Sequence, residues 1–197
     1  MDKKLTLGWG VTGAHGFFSA VVDAMARWKG QGVRVIPILS PAVQRVAGGG
    51  KNPAEWRRCM EEAAGEKAIL TVAEAEPLGP GEVLDGMVVA PLTGTTLAKM
   101  AHGIYDTSVL TAVKAAFRNQ KPLVLALCTN DGLGLNAVNW ARLLTVRHVY
   151  FVPFFQDRPL GKPASLQARF DLLDGTIQRA LEGEQLQPLL REGAAQD

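Results

Sequence analysis

Four consecutive positions, Thr93-Gly94-Thr95-Thr96, have the side chains and the setting to hold a polar or anionic group. Three hydroxyls and a glycine follow an apolar run, Met87, Val88, Val89 and Ala90, that Pro91 is expected to stop for want of an N–H. They precede Leu97, Met100, Ala101 and Ile104, apolar residues at helical spacing. The first N–H groups of a helix have no intrahelical acceptor and sit at its positive end. A phosphate or a polarised carbonyl can therefore be held there, once a hydroxyl has capped one of them. The same residues also read as a capped helix without a ligand.

Two further stretches carry similar chemistry. Gly8, Gly10 and Gly13 spell GxGxxG after a short apolar run, a weak dinucleotide signature on its own. A nicotinamide site needs an acid at the end of the second strand, but Val33–Leu39 runs into Ser40-Pro41. A hydroxyl at Ser40, beside Thr12 and Gly13, suits a monophosphate better than a ribose diol. The third stretch, Cys128 to Asn136, offers Thr129, Asn130 and Asp131. His15 is a candidate acid, base or ring-stacking group, or simply a polar residue near a helix start. Gly48–Gly50 reads as a mobile lid or a passive loop, and Glu74 and Glu76 as site-lining or solvated acids.

Elements must bring these stretches together. Strands are expected at Leu5–Trp9, Val33–Leu39, Ile69–Val72, Met87–Ala90, Lys121–Leu127 and His148–Phe151. Helices are expected at Phe17–Trp28, Ala54–Ala64, Ser108–Asn119 and Leu166–Leu181, with another carrying Asn139 and Trp140. About six short strands alternating with helices make a three-layer, doubly wound, Rossmann-like α/β fold with a mostly parallel sheet. In such a sheet ligands sit beyond the carboxyl ends of the strands, where Gly10–Gly16, Thr93–Thr96 and Thr129–Asn136 converge. Phe154-Phe155 lies in a proline-punctuated loop and is a candidate for an interface or for the core.

The 197 residues suit one domain, 1–197, ending in a short polar tail at 192–197. With 21 basic and 19 acidic residues there is no global field to attract nucleic acid or a membrane surface. Cys59 and Cys128 lack metal-ligand or disulfide spacing, and no run of eighteen apolar residues occurs, so a cytoplasmic protein without a metal is expected.

The string Val88 to Asp106, with Gly10-Val-Thr-Gly13 and Ser40-Pro-Ala, resembles the FMN-binding flavoproteins related to phosphopantothenoylcysteine decarboxylase and flavin prenyltransferase. Within that group Glu74–Pro80, Thr129–Asn136, Tyr150–Phe154 and Leu181–Pro188 resemble the dipicolinate synthase B-subunit family. The resemblance implies that Gly10, Thr12, Gly13 and Ser40 hold the FMN phosphate. Leu92, Thr93, Gly94, Thr95 and Thr96 would meet the ribityl chain and ring, and Thr129, Asn130 and Asp131 the ring edge. It also implies an oxidoreductase component that works with an A subunit carrying NADP or NAD. Together they would oxidise dihydrodipicolinate, a dicarboxylate, to dipicolinate in the mother cell of a sporulating bacterium. A homo-oligomer is implied too, with the N–H groups around Thr93–Thr96 and the Thr129–Asn136 loop as candidates for one substrate carboxylate, and His15 or Asp106 as the proton-handling group. Two other roles accompany it: a noncatalytic partner with a vestigial flavin or phosphate pocket, or an FMN-dependent decarboxylase or prenyltransferase. Against the last, Leu70–Asp85 contains no histidine, Thr95 replaces an asparagine, and Cys128-Thr129 stands where the prenyltransferases carry an arginine.

Overall fold

The computed structural model describes residues 4–81 and 83–192. Five apolar runs form parallel strands: Thr6–Val11 (β1), Arg34–Leu39 (β2), Gly86–Leu92 (β3), Leu123–Thr129 (β4) and Val149–Phe151 (β5). Their order is β2-β1-β3-β4-β5. Every residue of β1 and β3 is buried, as expected of strands covered on both faces. Helices Phe18–Gly30 (α1), Pro53–Ala64 (α3) and Leu173–Leu181 (α8) supply the core on one face, where Phe18, Met25, Trp28, Trp56 and Met60 meet Trp9 and Val124. Val72–Ala75 (α4), Gly94–Ala101 (α5), Ser108–Arg118 (α6) and Ala137–Leu144 (α7) cover the other, around Met87, Leu92, Leu97, Val109 and Leu125. A short helix, Pro41–Arg45 (α2), follows β2.

The sheet reverses its winding between β1 and β3. Crossovers on the two sides of that point lead away from each other, so a crevice opens beyond the carboxyl ends of β1 and β3. This places the Gly10–Gly16 and Thr93–Thr96 stretches side by side.

Four local expectations change. β3 continues through Pro91 to Leu92, because its pairing with β4 shifts register between Val89 and Leu92 and the missing N–H falls in that irregularity. Ile69–Val72 is no strand: Ile69 makes a single bridge to Ile38, and Thr71 caps α4. Thr71 and Glu74 form a capping box, a signature legible as Thr-x-x-Glu. Phe154–Phe155 (β6) and Leu166–Ala168 (β7) are short antiparallel strands, so the last helix begins only at Leu173. Leu166, Phe170, Leu173 and Ile177 satisfy helical spacing, which hid the three-residue strand. Phe154 is fully buried and belongs to the core. The sheet thus has seven strands, and the tail from 193 onward lies outside the described residues.

β4 is shared. Leu123–Leu125 pair with β5, while Cys128 and Thr129 pair with β7. That second pairing carries Ser165 and Leu166 to the carboxyl end of β4, beside the third polar stretch.

Candidate functional site

Thr12 ties the first two loops together. Its hydroxyl, with the residue 1% exposed, donates to the Pro91 carbonyl at 2.7 Å and accepts the Thr93 N–H at 2.9 Å. The Thr12 N–H also reaches Pro91 O at 3.3 Å. What Thr12 gives the site is the fixed spacing of β1 and β3 at their ends. Thr93 occupies the N-cap of α5, but its hydroxyl pairs with Thr96 Oγ1 at 3.2 Å instead of capping. The opening N–H groups of α5 therefore keep their capacity to bind.

The third loop closes against the same helix. Thr129 Oγ1 donates to Asp131 Oδ1, and Asn136 Nδ2 donates to Asp131 Oδ2 at 2.7 Å. Asn139 Nδ2 bonds Asn136 Oδ1 at 2.8 Å, and Trp140 Nε1 fixes the Gly132 carbonyl at 2.8 Å. A Cβ added at Gly94 would stand 2.5 Å from Thr129 Oγ1, 2.7 Å from Asn136 Nδ2 and 2.9 Å from Asp131 Oδ1. Only glycine fits there. Asp131 thus brings the protein's own carboxylate to the positive end of α5, which disfavours a second anion at that point and favours a neutral polar edge.

A phosphate has a better place. Ser40 is 5% exposed, and its hydroxyl has no hydrogen-bond partner among the described residues. It stands at the N-cap of α2 without capping it, and a buried polar group left unpaired is costly. The Ser40 N–H is held by Val11 O at 3.0 Å, at the end of β1. A Cβ added at Gly13 would come within 3.1 Å of Ala42 Cβ, so Gly13 lies against the turn that follows Ser40. Gly8 and Gly10 are different. Both lie inside β1, where side chains would strike Met87 Sδ at 2.8 Å and Val109 Cγ1 at 2.7 Å. Their bareness serves strand and helix packing, which explains the formal GxGxxG.

Beside the third loop is a cavity of about 200 Å³, lined by Phe17, Thr129, Asn130, Asp157, Lys162 and Ser165 among others. Ser165 Oγ reaches Thr129 O at 3.3 Å. Lys162 and Ser165 are candidate site residues that sequence reasoning missed, since only the β6–β7 hairpin brings them here. Cys128 also lines this cavity, and burial pushes its thiol up to about 12. It should stay protonated and inert at pH 8. Thiol titration of the native protein is expected to count at most one cysteine, Cys59, and both after denaturation; rapid labelling of Cys128 in the native state would contradict this burial.

His15 and Asp106 are engaged elsewhere. A His15 ring nitrogen contacts Val46 O at 2.9 Å, and the ring lies beneath Gly48, where a Cβ would be 2.7 Å from His15 Cγ. Trp56 Nε1 donates to Gly48 O at 2.7 Å. The Gly48–Gly50 segment is thereby folded onto His15 and Trp56. Asp106 pairs with Lys99 Nζ at 2.6 Å, and that ammonium holds its carboxyl below the usual range. Glu74 accepts the N–H groups of Leu70 and Thr71, which lower its pKa and account for it as a cap. Among the described residues no cluster of His, Cys, Asp and Glu is placed to hold a metal, and no helix is long and apolar enough to cross a membrane.

Known proteins share this fold. The family model described as Flavoprotein matches residues 1–178. The dipicolinate synthase B subunit of Bacillus subtilis (strain 168) is 42% identical over 190 residues, 96% of this chain and 95% of its own. The crystal structure of the dipicolinate synthase B subunit from Bacillus halodurans is 40% identical, with a TM-score of 0.87 over 96% of this chain and 97% of that one. The FMN-dependent cysteine decarboxylase SpaF, 22% identical, shares the fold at a TM-score of 0.65 over 90% of this chain and 95% of its own. With its three loops gathered at one switch point and these matches along its length, the chain belongs to the flavoprotein family, alongside the dipicolinate synthase B subunits.

Proposed function

We propose that this chain binds FMN in the crevice between β1 and β3 and serves as the B subunit of a dipicolinate synthase. In this reading it works with a nicotinamide-nucleotide-binding A subunit to oxidise dihydrodipicolinate in the cytoplasm of a sporulating mother cell. The observation that carries the cofactor assignment is the buried, unpartnered hydroxyl of Ser40 beside Gly13.

The residues present suit the group. Ser40 donates to the phosphate, and Gly13 allows the close approach. The α5 opening, Leu92 to Thr96, meets the ribityl chain and ring, and Thr129, Asn130 and Asp131 meet the ring's polar edge. When bound, a flavin supplies a two-electron acceptor for the aromatisation. Lys162 and Ser165 bind and orient a substrate carboxylate in the neighbouring cavity, so that the ring to be oxidised lies near Thr129 and Asn130. His15 and Asp106 are assigned positioning roles, in the Gly48–Gly50 segment and at the end of α5. Self-association into a homo-oligomer completes the proposal.

Ser40→Ala tests the cofactor assignment cleanly. Removing an unpaired buried hydroxyl should leave the flavin-free protein equally stable or up to about 1 kcal/mol more stable, while FMN affinity falls about tenfold. Fluorescence titration and a thermal melt read both. Unchanged FMN affinity would remove Ser40 from the phosphate site.

A further inference from the structure

We infer that a cavity between the carboxyl-terminal ends of α5, α6 and α7 is a second binding site, for an apolar molecule bearing one or two carboxylates. It has a volume of about 520 Å³, within the range of small-molecule pockets. It lies at the amino-terminal end of the sheet: Lys121 precedes β4 and His148 precedes β5, whereas Thr129 ends β4 at the flavin crevice. Seven strand residues separate the two ends by roughly 20 Å.

Its chemistry is one-sided. Met100 and Leu143 belong to the core and Tyr105 packs against it, giving the cavity an apolar wall. Lys121, Arg142 and Arg147 also line it, and no Asp or Glu does. None of the three makes an ion pair among the described residues. Arg142 is held across the cavity edge by Nη1 donating to Ala101 O at 3.1 Å. Three helix ends point their carbonyls this way, but each amounts to roughly half a negative charge. Three full positive charges outweigh them. The field in the cavity therefore selects an anion, and the wall selects an apolar body.

The backbone singles out the same place. Gln120 and His148 have φ of 51° and 63°, a region uncommon for residues with side chains, and both line this cavity. These links, at the entries to β4 and β5, shape the cavity between the helix ends. The site stands independently of the flavin assignment.

Calorimetric titration of the full-length chain with benzene-1,3-dicarboxylate, with and without excess FMN, tests the inference. One equivalent should bind in both cases, and the neutral benzene-1,3-dicarboxamide should bind at least tenfold more weakly. Arg147→Glu and Lys121→Gln, both verified as folded by thermal melts, should each weaken the dicarboxylate about tenfold or more. Arg58→Glu, on the exposed face of α3, should not. Absence of binding, competition by FMN, equal affinity for the diamide, or indifference to both cavity variants would overturn it.

Discussion

Gly94→Val is expected to abolish flavin retention and to lower the melting temperature of the flavin-free protein by roughly 10 °C. The cause is steric and specific. A side chain at position 94 enters space held by Thr129 Oγ1, Asn136 Nδ2 and Asp131 Oδ1, all closer than 3 Å to the first carbon it would add. These atoms cannot retreat singly, because Thr129 and Asn136 both donate to Asp131, and Asn139 fixes Asn136 in turn. Overpacking of this kind costs about 3 kcal/mol, and 1 kcal/mol moves the melting point of a chain this size by about 2–4 °C. The same displacement moves the loops proposed to meet the flavin ring. A loss of about 3 kcal/mol there is roughly a hundredfold in affinity. Differential scanning fluorimetry with a flavin fluorescence titration reads both quantities, and a Gly94→Val protein that melts and binds FMN like the parent would contradict the packing described here.

The second large effect is expected from Thr12→Val, a nearly isosteric change. Pro91 O keeps the Thr12 N–H, but the Thr93 N–H loses its only acceptor among the described residues, Thr12 Oγ1, at a half-buried position. Leaving such a donor unpaired costs about 2 kcal/mol, or roughly 5 °C in melting temperature. Because Thr12 spaces the two loops, FMN affinity should fall about tenfold as the crevice loosens. A thermal melt and the same titration measure this; unchanged values would mean that the β1 and β3 ends are positioned by strand packing alone.

How far the sequence revealed this site can be judged residue by residue. The convergence of three loops followed from apolar runs separated by helical spacing, since a parallel α/β sheet leaves its strand ends few other arrangements. Ser40 was legible because a hydroxyl, not an acid, ends the second apolar run. Asp131 was visible as a loop acid, but its place against Gly94 depends on the long-range pairing of Asn136 and Thr129 with it. Lys162 and Ser165 were beyond reach, since a three-residue strand disguised by helical spacing delivers them. His15 is the opposite case. A histidine near a glycine turn suggests proton transfer, but nothing in the sequence signals the contacts the ring makes with Val46 O and beneath Gly48, some thirty residues on. Glu74 carried its answer locally, in the capping box with Thr71.

The central claim, that FMN sits in the β1–β3 crevice, is tested most directly by the visible absorbance spectrum of the purified chain. The spectrum is taken after incubation with FMN and removal of the excess by gel filtration. Retained flavin bands near one equivalent per chain, reduced in Ser40→Ala and lost in Gly94→Val, are the expected result. A colourless protein that releases all added FMN would contradict the account and move the redox chemistry to the proposed A subunit.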